Sequence, residues 1–116
     1  MIYSGSCHCG NISFNFEHDI IDQGVRCNCS ICIRKGAIMT TFTKAMNDVN
    51  ITIKHNALAT YTFATHQVKH HFCQQCGIYT FHESMVNKAE LRFNLGCFEN
   101  LDVTQLQYEI YNGAAI

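Results

Sequence analysis

Eight cysteines in a chain of 116 residues constrain the fold more than any other feature. Seven of them fall into three close-spaced groups: Cys7-His8-Cys9-Gly10, Cys27-Asn28-Cys29-Ser30-Ile31-Cys32 and Cys73-Gln74-Gln75-Cys76-Gly77. Cys97 stands apart. A C-x-x-C spacing lets one tight turn aim two sulfurs at one ion, with backbone amides close enough to hydrogen-bond the thiolates. A glycine after the pair, as at Gly77 and in the same position at Gly10, permits the positive φ that such a knuckle often needs. Two knuckles from distant positions make a four-sulfur tetrahedral site, the closed geometry of structural zinc.

Ligands or bridges is a question of compartment. Met1–Cys7 has neither the basic start nor the apolar run of a secretory leader. The chain is therefore expected in a reducing cytoplasm, where clustered cysteines bind metal rather than pair as disulfides. No stretch approaches the ~18 apolar residues of a membrane span. Eight Lys and Arg against nine Asp and Glu give a net charge of −1, and the basic residues are scattered apart from Arg34-Lys35. Phosphate-backbone binding needs a basic patch, so neither nucleic acid nor membrane is an expected partner. The length fits one domain over residues 1–116.

Period-two alternation predicts half-buried strands at Ile12–Phe16, Val49–Ile53, Tyr61–Phe63, Ile78–Phe81 and Leu91–Leu95, and more weakly at Tyr108–Tyr111. Ala37–Thr43 is rich in Thr, Ile and Phe and is also expected to be extended. No segment sustains a helical period, although Asn100–Leu106 is long enough for a short helix. The expected fold is mainly β, with cysteine-bearing turns between strands and Phe14, Phe16, Phe63, Phe81 and Phe93 in the strand core.

The cysteine arithmetic then leaves a remainder. Two pairs and a trio make one four-coordinate site and leave three thiolates on one short segment. A three-ligand zinc keeps its fourth position for water or substrate, the pattern of a catalytic site. Alternatively Cys97 or a histidine fills that position and makes a second structural site. Spacing alone does not choose between them.

The order C-x-C-G, C-x-C-S-x-C, F-C-x-x-C-G resembles the glutathione-dependent formaldehyde-activating enzyme family, which includes centromere protein V. Here it reads Gly5–Gly10, Cys27–Cys32 and Phe72–Thr80, with Asn94-Leu95-Gly96-Cys97-Phe98 similar to a further family segment. The resemblance implies packed antiparallel sheets in a tent-like, Mss4-like arrangement. It implies two zinc ions: a structural one on Cys7, Cys9, Cys73 and Cys76, and a catalytic one on Cys27, Cys29 and Cys32. Cys97 is then a core or near-site thiol. One departure concerns the substrate. After Cys76-Gly77-Ile78-Tyr79-Thr80 the family subgroup is expected to carry basic residues, whereas this chain continues Phe81-His82-Glu83-Ser84-Met85-Val86. Glutathione has two carboxylates, so fewer cations there weaken its case.

Three thiolates around a +2 ion make a poor Lewis acid and suit a soft incoming ligand. Zinc deprotonates a bound thiol, and the thiolate is the nucleophile. The implied activity is that of a carbon–sulfur lyase, with a small thiol such as glutathione and a small aldehyde such as formaldehyde as partners. His66, His70, His71 and His82 are candidate proton shuttles, although the alternation Lys69-His70-His71-Phe72 puts at least one on a strand surface. Arg34 and Lys35 either meet a substrate carboxylate or form a solvated turn, the commoner use of such a pair. The competing function is a non-catalytic, zinc-stabilised interaction module.

Overall fold

The computed structural model describes residues 1–64, 68–84 and 89–115. Three sheets account for nearly all its regular structure. The first joins β1 (Ile2–Ser6), β2 (Ile12–Glu17) and β6 (Asn50–Ile53) in the order β1-β2-β6. A five-stranded sheet has the order β5-β10-β9-β8-β7, from β5 (Lys44–Ala45), β7 (Leu58–Tyr61), β8 (His70–Cys73), β9 (Tyr79–Glu83) and β10 (Glu90–Phe93). The third, β11-β3-β4, takes β3 (Gln23–Cys27), β4 (Met39–Thr40) and β11 (Gln107–Tyr111). The pairings are antiparallel except β11 with β3, which is parallel and sets Tyr111 opposite Cys27. No helix among the described residues is long and apolar enough to cross a membrane.

The expected alternation is realised where a strand has one dry face. In β2, Ile12, Phe14 and Phe16 are buried and Asn15 and Glu17 exposed. In β10, Leu91 and Phe93 are buried. These faces meet in an aromatic core: Phe14 and Phe93 lie 4.6 Å apart between ring centroids, Phe16 and Phe93 5.1 Å, and Phe14 and Phe98 5.5 Å edge-on. Tyr3 joins them from β1, and its hydroxyl accepts a hydrogen bond from the Ile21 amide at 2.8 Å. Gly5, opposite Phe14 in the ladder, is a glycine of necessity, because a Cβ there would sit 2.5 Å from the Phe14 ring.

Several expectations require correction. The strand expected at Tyr61–Phe63 lies at Leu58–Tyr61, and Phe63 is exposed, stacked on Tyr61 and His70 rather than in the core. Ala37–Thr43 contributes only the two-residue β4; beyond it the Thr40 hydroxyl turns to donate to the Phe42 carbonyl. Ile78 is exposed in the turn before β9, and Leu95 belongs to a 3-10 turn, Leu95–Cys97. Asn100–Leu106 makes a single 3-10 turn, Val103–Gln105, capped by Asp102, whose carboxylate accepts from the Thr104 amide at 3.0 Å.

Phe93 touches the aromatic side chains of β2 and β9 at once. Phe93→Ala should therefore cost about 3–5 kcal/mol, read as a lower urea midpoint at unchanged m-value. A loss below about 1 kcal/mol, the scale of a surface change, would contradict this packing.

Candidate metal centre

The first cysteine pair sits in the turn between β1 and β2, and the second in the turn between β8 and β9. Each turn closes on itself: Gly10 donates to the Cys7 carbonyl at 3.2 Å and Gly77 to the Cys73 carbonyl at 2.7 Å. Both glycines have positive φ, 85° and 78°, the conformation expected of such knuckles. The two turns, 64 residues apart in the chain, face each other. The sulfurs of Cys7, Cys9, Cys73 and Cys76 all lie within 4.8 Å of one another, with Cys7 to Cys9 at 3.7 Å and Cys9 to Cys73 at 3.6 Å. Four sulfurs at a Zn–S distance of ~2.3 Å stand about 3.8 Å apart in a tetrahedron, so the set fits a tetrahedral ion. The Ile12 amide donates to Cys7 Sγ at 3.3 Å, supplying the expected backbone support.

The second cluster comes from one stretch of chain. Cys27 ends β3, Cys29 caps the short helix α1 (Ser30–Lys35), and Cys32 lies one turn along it. The three sulfurs lie within 4.8 Å of one another. Residues three apart share a helix face, and the Cys29 amide donates to Cys27 Sγ at 3.4 Å. Burial, then the neighbouring thiols, pushes Cys32 up to about 12. The three thiols crowd one another, and such a donor set is able to hold a metal ion. Among the described residues no fourth Cys, His, Asp or Glu joins the group. Cys97 belongs to neither cluster. Burial raises its thiol to about 12, and Sγ donates to the Tyr79 carbonyl at 3.5 Å.

A cavity of about 520 Å³ opens beside α1, lined by Ile31, Arg34, Lys35, His70, Tyr79 and Asn94 among others. Ile31, Arg34 and Lys35 of α1 line it, so the helix that carries Cys32 forms part of its wall. Lys35 is half-buried rather than part of a solvated turn, a correction to the commoner expectation for this pair. Its Nζ donates to His70 Nδ1 at 2.7 Å and lies 3.7 Å from the centroid of the Tyr79 ring. Burial lowers Lys35 to about 8 against the opposing pull of the thiols.

The histidines are likewise not surface residues. His70 and His71 are both buried. His71 donates from Nε2 to Glu83 at 3.2 Å, and its Nδ1 accepts from the Thr60 hydroxyl at 2.9 Å, so its hydrogen bonding is satisfied within the sheet. His82 pairs with the Tyr79 hydroxyl. His66 lies outside the described residues. The sequence reading named Lys35, His70 and His71 as candidates but missed their burial and the contact of Lys35 with His70. The available signal was the register, which sets His70 opposite His82.

Burial, then the Lys35 charge, pulls His70 down to about 4 and His82 to about 3. The unfolded chain takes up protons near pH 6.5 that the folded one refuses. These groups therefore leave stability unchanged above ~6.5 and erode it as pH falls toward about 4. Thiolate protonation adds its own acid loss, so the test is comparative. His82→Gln should show a stability–pH slope shallower than the parent's by about one proton between pH ~6 and ~4. Superimposable slopes would mean that His82 titrates normally.

The comparisons agree with this arrangement. The family model for the glutathione-dependent formaldehyde-activating enzyme matches residues 2–114. The crystal structure of a Rhodobacter sphaeroides protein, a structural-genomics target, superposes with a TM-score of 0.81. It is 33% identical to this chain, and the match covers 93% of this chain and 99% of that one. The mainly antiparallel β fold is consistent with the Mss4-like arrangement, and its two cysteine clusters are able to hold metal ions. The chain belongs to the glutathione-dependent formaldehyde-activating enzyme family.

Proposed function

We propose that this protein is a zinc-dependent carbon–sulfur lyase that joins a small thiol, glutathione or a similar one, to formaldehyde or another small aldehyde, and reverses that addition. One observation carries the reading: three sulfurs, with no fourth ligand among the described residues, converge on the turn that leads into α1, whose Ile31, Arg34 and half-buried Lys35 line a cavity. Cys7, Cys9, Cys73 and Cys76 hold the structural zinc, and Cys27, Cys29 and Cys32 the catalytic one. Cys97 is a near-site thiol.

Zinc bound by the trio supplies a soft acceptor that keeps an incoming thiol in its thiolate form at neutral pH. The cavity residues do the rest. Arg34 and Lys35 give a carboxylate of the thiol its counter-charge, replacing the basic residues absent after Thr80. Because Lys35 donates to Nδ1 of the neutral His70, the ring hydrogen resides on Nε2, which can donate to a carbonyl oxygen in the cavity. The thiolate sulfur attacks the aldehyde carbon. A C–S bond forms, the carbonyl π pair moves to oxygen, and oxygen takes a proton to give the hemithioacetal. The reverse path breaks the same bond and returns the thiol.

The two clusters should respond differently to loss of a ligand. Structural zinc contributes roughly 10–16 kcal/mol in small zinc domains, as much as a whole domain's ~5–15 kcal/mol. Cys76→Ala should therefore unfold or aggregate the chain. Cys29→Ala should remove one metal equivalent and the thiol–aldehyde activity while keeping a cooperative melt. A Cys76→Ala protein melting within a few degrees of the parent would refute the assignment.

Cobalt substitution tests the open position. Titrating glutathione and then 2-mercaptoethanol should raise the sulfur-to-metal charge-transfer band in the parent and in Cys97→Ser alike. Lys35→Met should weaken glutathione by about tenfold, the roughly 1.4 kcal/mol expected of a half-exposed charge-assisted contact. The loss should be smaller for 2-mercaptoethanol, which lacks a carboxylate and meets Lys35 only through the charge of its thiolate. If no thiol alters either spectrum, the open-site reading fails and the chain is a zinc-stabilised interaction module.

A further inference from the structure

The chain returns to the three-cysteine turn at its C-terminal end. Asn28, the residue between Cys27 and Cys29, holds residues 111–114 at three points. Its amide donates to the Tyr111 carbonyl at 3.1 Å, its Nδ2 donates to Asn112 Oδ1 at 3.0 Å, and its Oδ1 accepts from the Ala114 amide at 2.9 Å. Within this clasp lies Gly113, pressed onto the cysteines. A Cβ there would stand 2.4 Å from Cys27 Sγ and 3.2 Å from Cys29 Cβ. The first distance is shorter than any ordinary contact, and a short cysteine side chain has little room to move away. Gly113 is a glycine because of this approach, not because of a positive φ. The parallel ladder of β11 with β3, ending at Tyr111 opposite Cys27, delivers the segment to this place.

We propose that Asn28 is a positioning residue of the three-cysteine site: it clasps residues 112–114 over the Cys27–Cys29 turn, fixes those two sulfurs and closes that side of the metal. The way in is then from the cavity of Lys35, His70 and Tyr79. This rests on reading the trio as a metal site. The physical case is that the trio has few other restraints. Cys27, Cys29 and Cys32 are all half-buried, and they come from a strand end and a six-residue helix. A sulfur covered by backbone is shielded from the water and protons that would displace it. Outer partners of this kind typically change metal affinity by 10–100-fold when removed. Asn112, Ala114 and Ala115 are themselves exposed, so the clasp adds little to the global core.

The test uses the two-zinc protein and three variants: Asn28→Ala, Gly113→Ala and a chain ending at Tyr111. Zinc release to a chromogenic chelator is followed alongside thermal melting and the cobalt spectrum. In each variant one zinc equivalent should leave about 10–100-fold faster than in the parent. The other should leave at the parental rate, with little change in melting. Asn28→Asp keeps the acceptor for the Ala114 amide but loses the donor to Asn112, and should fall between. Release of both equivalents at parental rates from Gly113→Ala and the shortened chain, with unchanged cobalt spectra, would overturn the role of the clasp and leave the metal site standing. A parent that binds only one equivalent would overturn the trio as a metal site, and this inference with it.

Discussion

Two hairpin turns, one between β1 and β2 and the other between β8 and β9, must stand face to face for this chain to fold as it does. They belong to different sheets, and their four sulfurs come within 4.8 Å of one another. Four deprotonated thiols at that range would repel, and a bound cation would make the approach favourable. The hydrophobic core points the same way. Phe14, just inside the first hairpin, packs on Phe93 of the sheet that carries the second. A core of this size is marginal in a domain of 116 residues. Aromatic packing and sulfur convergence therefore act across one seam, and neither is redundant.

The legibility of the sequence follows from which side chains face inward. β2 and β10 could be read because Ile12, Phe14, Phe16, Leu91 and Phe93 fill their dry faces. β1 and β3 could not, because each has a glycine, chosen by close packing, at an inward position. A Cβ on Gly5 would strike the Phe14 ring, and one on Gly24 would lie 2.3 Å from the Ile38 side chain. Hydrophobic alternation vanishes where the partner's side chain supplies the bulk. β8 was obscured differently: its buried His70 and His71 read as polar, although His71 satisfies Glu83 and Thr60 inside the sheet. The metal clusters were legible because ligand spacing is local. Which residues stand behind each cluster was not, since Lys35 meets His70 and Asn28 meets Asn112 across long stretches of chain.

The two clusters differ in how their ligands are held, and this bears on what each is suited to do. In the four-cysteine set, each pair is fixed by a hairpin and the set is complete. In the trio, one strand end and one helical turn supply every ligand, and the remaining directions are filled by other parts of the chain. Gly113 occupies one side, and α1, which carries Cys32, leads to the cavity lined by Arg34 and Lys35. An exchangeable position needs that asymmetry: enough restraint to keep three sulfurs convergent, and one direction from which a ligand can enter.

Charge completes the argument. Under the proposed function, three thiolates with a +2 ion would carry −1, and an entering thiolate would raise this to −2 at a site partly withdrawn from water. Like charge in such a place is costly unless a cation lies close. Lys35 is that cation, half-buried near the trio and hydrogen-bonded to a neutral histidine, with no carboxylate partner among the described residues. A solvated lysine would be screened and of little use. The burial that lowers its proton affinity also lets its charge act on the sulfurs. The same burial keeps His70 neutral, so that the lysine's hydrogen bond is accepted rather than repelled. Under the proposed function, the cavity combines one charge that favours thiolate entry with one neutral histidine that can donate to the aldehyde oxygen, a division of labour that addition of a thiol to a carbonyl requires.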